Sequence, residues 1–267
     1  KKCNDAADRI VSADNKIDKK QVIPMQMDLS DFDSVQTFAH EINQKVGGRK
    51  VDVLFNNAGY GPPEVEPVNK YGLDPSFTSM HISHHLLTEL LIEQNPKLRV
   101  VATSSGTHQF CSYMHPSCID EEYLAKGIYS PQSKQKYFTA KLANVMHVKE
   151  IPIHHPSSIA IAIDLGWVGT SIQPWMSGQV TPTSLGWMRS AEVGIKPVLT
   201  AILQPIEYFG DRDWSEDGGL LINSLDVTSE PFSKNCWRGK VSKPIMEEIG
   251  RKLWEKTTSI LKQNNCL

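Results

Sequence analysis

VDVLFNNAGYGPP, residues 51–63, begins as a short apolar run and then breaks into two asparagines, two glycines and two prolines. A strand that carries almost no polar alternation is one buried on both faces, and the Gly/Pro stretch after it marks the loop that leaves the sheet. Upstream, DFDSVQTFAHEINQKV (31–46) places Val35, Phe38, Ala39, Ile42 and Val46 at helical spacing, with Ser30 or Asp31 as N-cap. Before it stand a β-rich apolar run, QVIPMQMDLS (21–30), and a polar helical opening, KKCNDAADRI. Downstream, the pattern repeats: helix 73–94, strand LRVVATSS (98–105), a polar stretch 106–131, helix SKQKYFTAKLANVMHVKEI (133–151) and strand SIAIAIDLGW (158–167). Strands alternating with helices predict an α/β fold, a doubly wound parallel sheet covered on both faces, in a single domain over 1–267 without repeats or linkers.

The bulk numbers fit one such domain. The chain has 267 residues, 40% of them hydrophobic, and a formal charge of −2 with its lysines and arginines scattered. Nothing resembles the basic stripe that tracks phosphates, so nucleic acid is not an expected partner. Five cysteines, Cys3, Cys111, Cys118, Cys236 and Cys266, are widely spaced with no C-x-x-C pair, which reads as free thiols in a reducing compartment. No apolar run reaches the roughly 18–20 residues of a membrane span, and the first residues lack a signal-peptide core, so the cytoplasm is the expected location.

A sheet of this kind binds ligands outside the carboxyl ends of its strands. Polar or glycine groups stand at all four predicted ends: Asp28, then Asn56-Asn57-Ala58-Gly59, then Ser104-Ser105, then Asp164-Leu165-Gly166. On the helix that follows the third strand, Tyr137 and Lys141 stand at i and i+4 and share one face, with Cβ atoms roughly 5–6 Å apart. A free phenol titrates near about 10, so it exchanges protons poorly at neutral pH unless a neighbour stabilises its anion, and an ammonium one turn away supplies that.

With these residues in order, the sequence resembles the short-chain dehydrogenase/reductase family, most closely its retinol-dehydrogenase-like members, over most of the chain to about residue 205. DLSDFDSV (28–35) is similar to the adenine-contacting segment, LFNNAG (54–59) to the N-N-A-G signature, TSSGTH (103–108) to the serine strand, YFTAKLAN (137–144) to the tyrosine helix and LGWVGT (165–170) to the P-G-x-x-x-T segment. The resemblance implies a Rossmann-like NAD(P)-binding domain that interconverts a hydroxyl and a carbonyl on a lipophilic small molecule with NADP or NAD. It implies Ser105, Tyr137 and Lys141 as catalytic residues, with Ser105 orienting the substrate oxygen, Tyr137 exchanging the proton and Lys141 also holding the nicotinamide ribose. Asp28, Leu29, Asn56, Asn57, Ala58, Gly59, Tyr137, Lys141, Gly166 and Thr170 are the implied cofactor contacts, and a homodimer is an assembly it allows. Each has a structural alternative: Asp28 as a helix cap, Asn56 and Asn57 as loop ties, Ser104 as a packing hydroxyl.

Three departures stand beside the match. The chain contains no T-G-x-x-x-G-x-G, the glycine-rich turn whose amides bind a pyrophosphate, so the first β-α-β portion is expected to be lacking, coenzyme preference with it, and the chain by itself to bind coenzyme weakly and self-associate. In MHISHHLLT (80–88), similar to the family's N-H-x-G-H-F-L-L-T, Met80 takes the place of the catalytic-tetrad asparagine, and Leu165 replaces the proline before Gly166. A catalytically impaired relative that serves as an interaction module is therefore the alternative reading.

Three further patterns complete the sequence. His81, His84 and His85 have a spacing that could bind a metal, but no carboxylate follows at ligand spacing and one of them matches a packing histidine, so no metal site is expected. Trp167, Trp175, Met176, Trp187 and Met188 fall in 167–190, where a substrate loop would close over an apolar ligand or where the same residues would pack on the sheet. The segment 243–263 holds an amphipathic C-terminal helix, expected to dock on the body of the domain.

Overall fold

Parallel strands side by side carry the fold in the computed structural model, which describes residues 2–63, 66–111, 133–169, 172, 188–211, 213–217, 219–223 and 243–267. They are β1 (Val53–Asn56), β2 (Arg99–Thr103), β3 (Ile159–Asp164) and β4 (Leu220–Asn223), in the order β1-β2-β3-β4. Phe55 pairs with Val101, Val101 with Ile161, and Ile163 with Ile222. The longer helices among the described residues are α1 (Lys2–Ala13), α2 (Phe32–Lys45), α3 (Ser83–Gln94), α4 (Ser133–His154), α5 (Lys196–Leu203) and α6 (Lys243–Gln263). Among the described residues, none of the helices is long and apolar enough to cross a membrane.

The pleat divides the strand residues between two cores. Leu54, Val100, Ala102, Ala160, Ala162 and Leu221 face α2, α3, α4 and α6, while Val101, Ile161, Ile163 and Ile222 face α5, Phe209 and Trp214. Successive Cβ atoms point to opposite faces of a sheet, which is why near-continuous apolar strands need cover on both. The first face is lined by small residues where α4 crosses it with Ala140 and Ala143, so this helix lies close to the sheet and holds its side chains near the strand ends. Each fully buried Leu, Ile or Phe contributes about 1.5–3 kcal/mol.

Three elements differ from the sequence expectation. QVIPMQMDLS forms no strand: residues 22–28 have no regular structure and Ile23 is 52% exposed. Strands exist through a neighbour's hydrogen bonds, and no strand among the described residues lies beside this run. The reverse holds for β4, which has no predicted counterpart and gains strand structure by pairing with β3. Just before β4, the Gly219 amide donates to the Lys149 carbonyl at 3.1 Å, and a Cβ at 219 would lie 2.2 Å from the Val148 carbonyl oxygen, so the strand enters against α4 only through glycine. That carbonyl is the one Pro152, inside α4, has no N–H to reach.

The predicted helix 73–94 is composite. A helical turn Pro75–Phe77, capped by the Asp74 side chain, runs into a π-helical turn Thr78–Ile82 in which the Ser83 amide reaches back to the Thr78 carbonyl, and only then into α3. The wider turn carries Met80 inward, where it is fully buried. Lys136 on α4 forms an ion pair with Asp74 at 3.0 Å, both largely out of solvent, fixing the start of α4 against this turn one residue before Tyr137.

Candidate active site

The end of β2 organises the site. The Thr103 carbonyl accepts from the Lys141 ammonium at 3.0 Å and from the Asn144 amide at 3.3 Å, while the Thr103 hydroxyl donates to Asn57 Oδ1 at 2.8 Å. Chain alternation then splits the two serines. Ser104 is buried and donates to the Lys141 carbonyl at 2.8 Å, a packing bond that ties strand to helix. Ser105 turns the other way and caps the 3₁₀ turn Gly106–Phe110. Its Oγ accepts from the Thr107 amide at 3.3 Å and from the Thr107 hydroxyl at 3.0 Å. With its lone pairs engaged, Ser105 keeps its own proton to donate, and it hydrogen-bonds the Tyr137 phenol.

Tyr137 and Lys141 share a face of α4, with the ammonium 5.4 Å from the phenol ring centroid. Tyr137 is 8% exposed; burial pushes its phenol up to about 12, the Ser105 hydrogen bond opposes that shift and the charge of Asp164 adds to it. Lys141 is 2% exposed, and burial pulls its ammonium down to about 8. A Cβ at Gly59 would lie 3.3 Å from Lys141 Nζ and 3.5 Å from Met80 Sδ, so the loop after β1, the π turn and the lysine meet at one point. Only the bare glycine backbone leaves open space beside the ammonium.

The remaining predicted residues divide. Asn56 is buried and donates to the Thr88 hydroxyl at 3.0 Å, and Asn57 ties to β2, so both hold the loop in place. Ala58 and Gly59 are exposed beside them. Asp28, also exposed, accepts from the Ser30 amide at 2.9 Å and hydroxyl at 2.7 Å, a turn cap that leads into α2, whose own N-cap is Asp31. The Leu29 carbonyl accepts from the Ser83 hydroxyl at 2.7 Å, joining this segment to α3. Gly166 has φ 73°, and its amide donates to Asp164 Oδ1 at 2.9 Å. The turn without its proline is thus held by a carboxylate. Thr170, Trp175, Met176 and Trp187 lie outside the described residues.

Ser105, Thr107, Tyr137, Asp164, Leu165, Gly166, Trp167 and Val168 line a pocket of about 100 Å³ at the carboxyl ends of β2 and β3. Thr107 and His108 belong to this site and were not picked out by the sequence. Thr107 orients Ser105, and His108 Nδ1 donates to the Ser105 carbonyl at 2.6 Å. The signal for both was present in TSSGTH, a serine followed two residues later by a threonine at a strand end, the pattern of a side-chain-capped turn.

The histidines of the π turn and of α3 do not line the pocket. His81, His84 and His85 are buried, with His147 of α4 against them: His85 Nδ1 lies 3.0 Å from His147 Nδ1. Trp254 of α6 covers the cluster, 4.5 Å from His85 and stacked on His154 at 4.3 Å between centroids. Thr257 and Thr258 of α6 lie 3.3 Å from His81 and His85. Burial lowers His81 to about 4 and His84 to about 3, and holds His85 and His147 well below the usual imidazole range. The cluster is where the C-terminal helix docks.

The family model described as short chain dehydrogenase matches residues 2–114. The WW domain-containing oxidoreductase of Drosophila melanogaster is 35% identical over 134 residues, 47% of this chain and 30% of that one. Retinol dehydrogenase 12 of Mus musculus is 34% identical over 147 residues, 53% of this chain and 42% of that one. The chain therefore spans 30% to 42% of the length of these two relatives. Among solved structures, an uncharacterized protein from Mycobacterium paratuberculosis superposes with a TM-score of 0.58 at 22% identity, covering 89% of this chain and 75% of that one, a likeness of fold.

Proposed function

We propose that this chain, whose residues 2–114 match the short chain dehydrogenase family model, is an NAD(P)-dependent oxidoreductase of that family that interconverts a hydroxyl and a carbonyl on a lipophilic small molecule. The same reading puts its work in the cytoplasm and allows a homodimer. The observation that carries the reading is one arrangement: Ser105 hydrogen-bonded to the Tyr137 phenol at a pocket, with the Lys141 ammonium 5.4 Å from the same ring.

The residues present suit a nicotinamide coenzyme where they can be tested, because a Cβ at Gly59 would fill the space beside Lys141 Nζ. Lys141 and Tyr137 would hold the nicotinamide ribose, with Asn57, Ala58 and Gly59 beneath the adenine ribose, Gly166 and Thr170 at the nicotinamide, and Asp28 with Leu29 toward the adenine. A bound nicotinamide supplies or accepts the hydride. Ser105, held by Thr107, donates to the substrate oxygen and fixes it at the pocket mouth. Tyr137 gives that oxygen a proton during reduction and takes one during oxidation. Its phenol is protonated at neutral pH, as the acid role requires, and the Lys141 ammonium, 5.4 Å from the ring, stands where its charge would stabilise the phenolate left behind.

The lysine sets the pH dependence. Lys141, lowered to about 8, loses its charge as the pH rises through that value, so kcat/KM for carbonyl reduction is expected to hold level to about pH 7 and fall on a limb near 8. Steady-state rates between pH 6 and 9.5 read it directly, and a flat profile across that range contradicts the role given to Lys141.

One observation favours the impaired reading. Met80 is fully buried with its sulfur at the junction of Gly59 and Lys141, where a thioether relays no proton. If this limits turnover, Met80→Asn raises kcat several-fold, about 1 kcal/mol in the barrier. An unchanged or lower kcat in a folded variant removes Met80 as the limiting feature.

A further inference from the structure

Resting on the oxidoreductase reading, we propose that Asp164 is a specificity-determining residue: it selects alcohols and ketones that carry a protonated amine on the carbon next to the reacting one. The carboxylate stands at the end of β3 on the wall of the same 100 Å³ pocket as Ser105 and Tyr137, and the residue is only 7% exposed. Its two oxygens are used differently. Oδ1 accepts the Gly166 amide at 2.9 Å, Oδ2 lies beside Gly106, and the residue lines the pocket. Gly106 makes that orientation available, since a Cβ there would stand 3.0 Å from Oδ2.

Among the described residues Asp164 forms no ion pair. Lys141, the buried ammonium of the site, is turned to the Thr103 carbonyl. His108 faces Asp164 but spends Nδ1 on the Ser105 carbonyl, and its Nε2 has no partner among the described residues. A carboxylate on the wall of the pocket attracts a ligand that brings a cationic donor and repels an anionic one. The scale of the pocket limits the choice. At about 100 Å³ the pocket keeps a ligand's cationic group close to the reacting carbon. With the reacting oxygen held by Ser105 and Tyr137, the amine that reaches Oδ2 is the one on the neighbouring carbon.

The test uses three probes of nearly one shape: 2-amino-1-phenylethanol, cationic; 1-phenyl-1-propanol, neutral; and mandelate, anionic. Calorimetric titration of each into the protein with oxidised coenzyme present is expected to give about tenfold tighter binding of the amino alcohol than of the neutral probe, and no measurable binding of mandelate. Asp164→Asn keeps the acceptor for Gly166 while removing the charge, and is expected to bring the cationic-to-neutral ratio within about twofold. Should that variant fail to fold, Gly106→Ala displaces Oδ2 and is expected to shrink the same ratio. A wild-type protein with no amine preference, or a preference unaltered in the folded variants, overturns the proposal. Turnover distinguishes the underlying reading: an amine preference that tracks Asp164 supports the site, while failure to oxidise any of the probes counts against the oxidoreductase assignment alone.

Discussion

Tyr137→Phe is expected to lower turnover by about 10²–10⁴-fold, the contribution of a positioned acid or base. The substitution removes one oxygen from a ring that packs in the main core at 8% exposure, so the hydrophobic contacts stay in place. Ser105 loses a hydrogen-bond partner but retains both bonds from Thr107, and Lys141 keeps its bond to the Thr103 carbonyl. The fold is thus expected to survive with at most about 1–2 kcal/mol lost, the scale of one hydrogen bond. The measurement is kcat for a panel of lipophilic ketones and aldehydes with NADPH and NADH, beside a thermal melt of both proteins. Activity within tenfold of wild type in a folded variant would show that the proton comes from elsewhere.

Acid is expected to unfold the protein well above the pH at which carboxylates alone would do so. His81, His84, His85 and His147 are held neutral by burial, with folded-state values below the ordinary 6.5. The unfolded chain therefore binds more protons than the folded one below about 6.5, and the stability present above that pH drains away as the pH falls toward 4. At about 1.4 kcal/mol per pKa unit, His81 at about 4 and His84 at about 3 each account for a few kcal/mol. Lys141 adds to the cost of charging His84, and His154 and His155 to that of His85.

One group works in the opposite sense. Glu150 is raised to about 7 by burial, stays protonated in the fold where the unfolded chain would ionise it, and so favours the folded state as the pH falls from 7 toward 4.5. Four imidazoles outweigh one carboxyl, so on balance stability falls as the pH drops below about 6.5. The transition temperature is expected to drop steeply between pH 6.5 and 4.5, with release of α6 from Trp254 onward as the structural counterpart. His85→Phe with His147→Leu, which removes the 3.0 Å imidazole pair, should flatten that slope. A transition temperature constant from pH 7.5 to 4.5 would mean that the cluster is already open to protons.

The sequence by itself determined what depends on near neighbours along the chain. Tyr137 and Lys141 share a face because they stand four apart on a helix, and the polar groups after β1, β2 and β3 fall at strand ends because apolar runs stop where they do. The alternation of strands and helices followed from the same local periodicities, and with it a parallel sheet whose ligand edge could be named. What the sequence could not decide were matters of pairing. QVIPMQMDLS has the composition of a strand and forms none, while LLIN (220–223) becomes one, since only a partner's amides and carbonyls make the difference. Ser104 and Ser105 are identical in sequence terms, yet the helix that crosses β2 takes the first and leaves the second to the pocket.

The electrostatics were equally beyond local reading. Asp164 reaches the site because β3 lies beside β2, and its Oδ2 has room only because residue 106 carries no side chain. His85 and His147 are 62 positions apart and become one titrating unit only when α3, α4 and α6 exclude water from both. Lys141 is an ordinary surface-type residue until burial draws its ammonium down to about 8. Residue types and spacings specify which groups a strand end presents; the dielectric around them, and so the chemistry they can perform, is set by the elements that close over them.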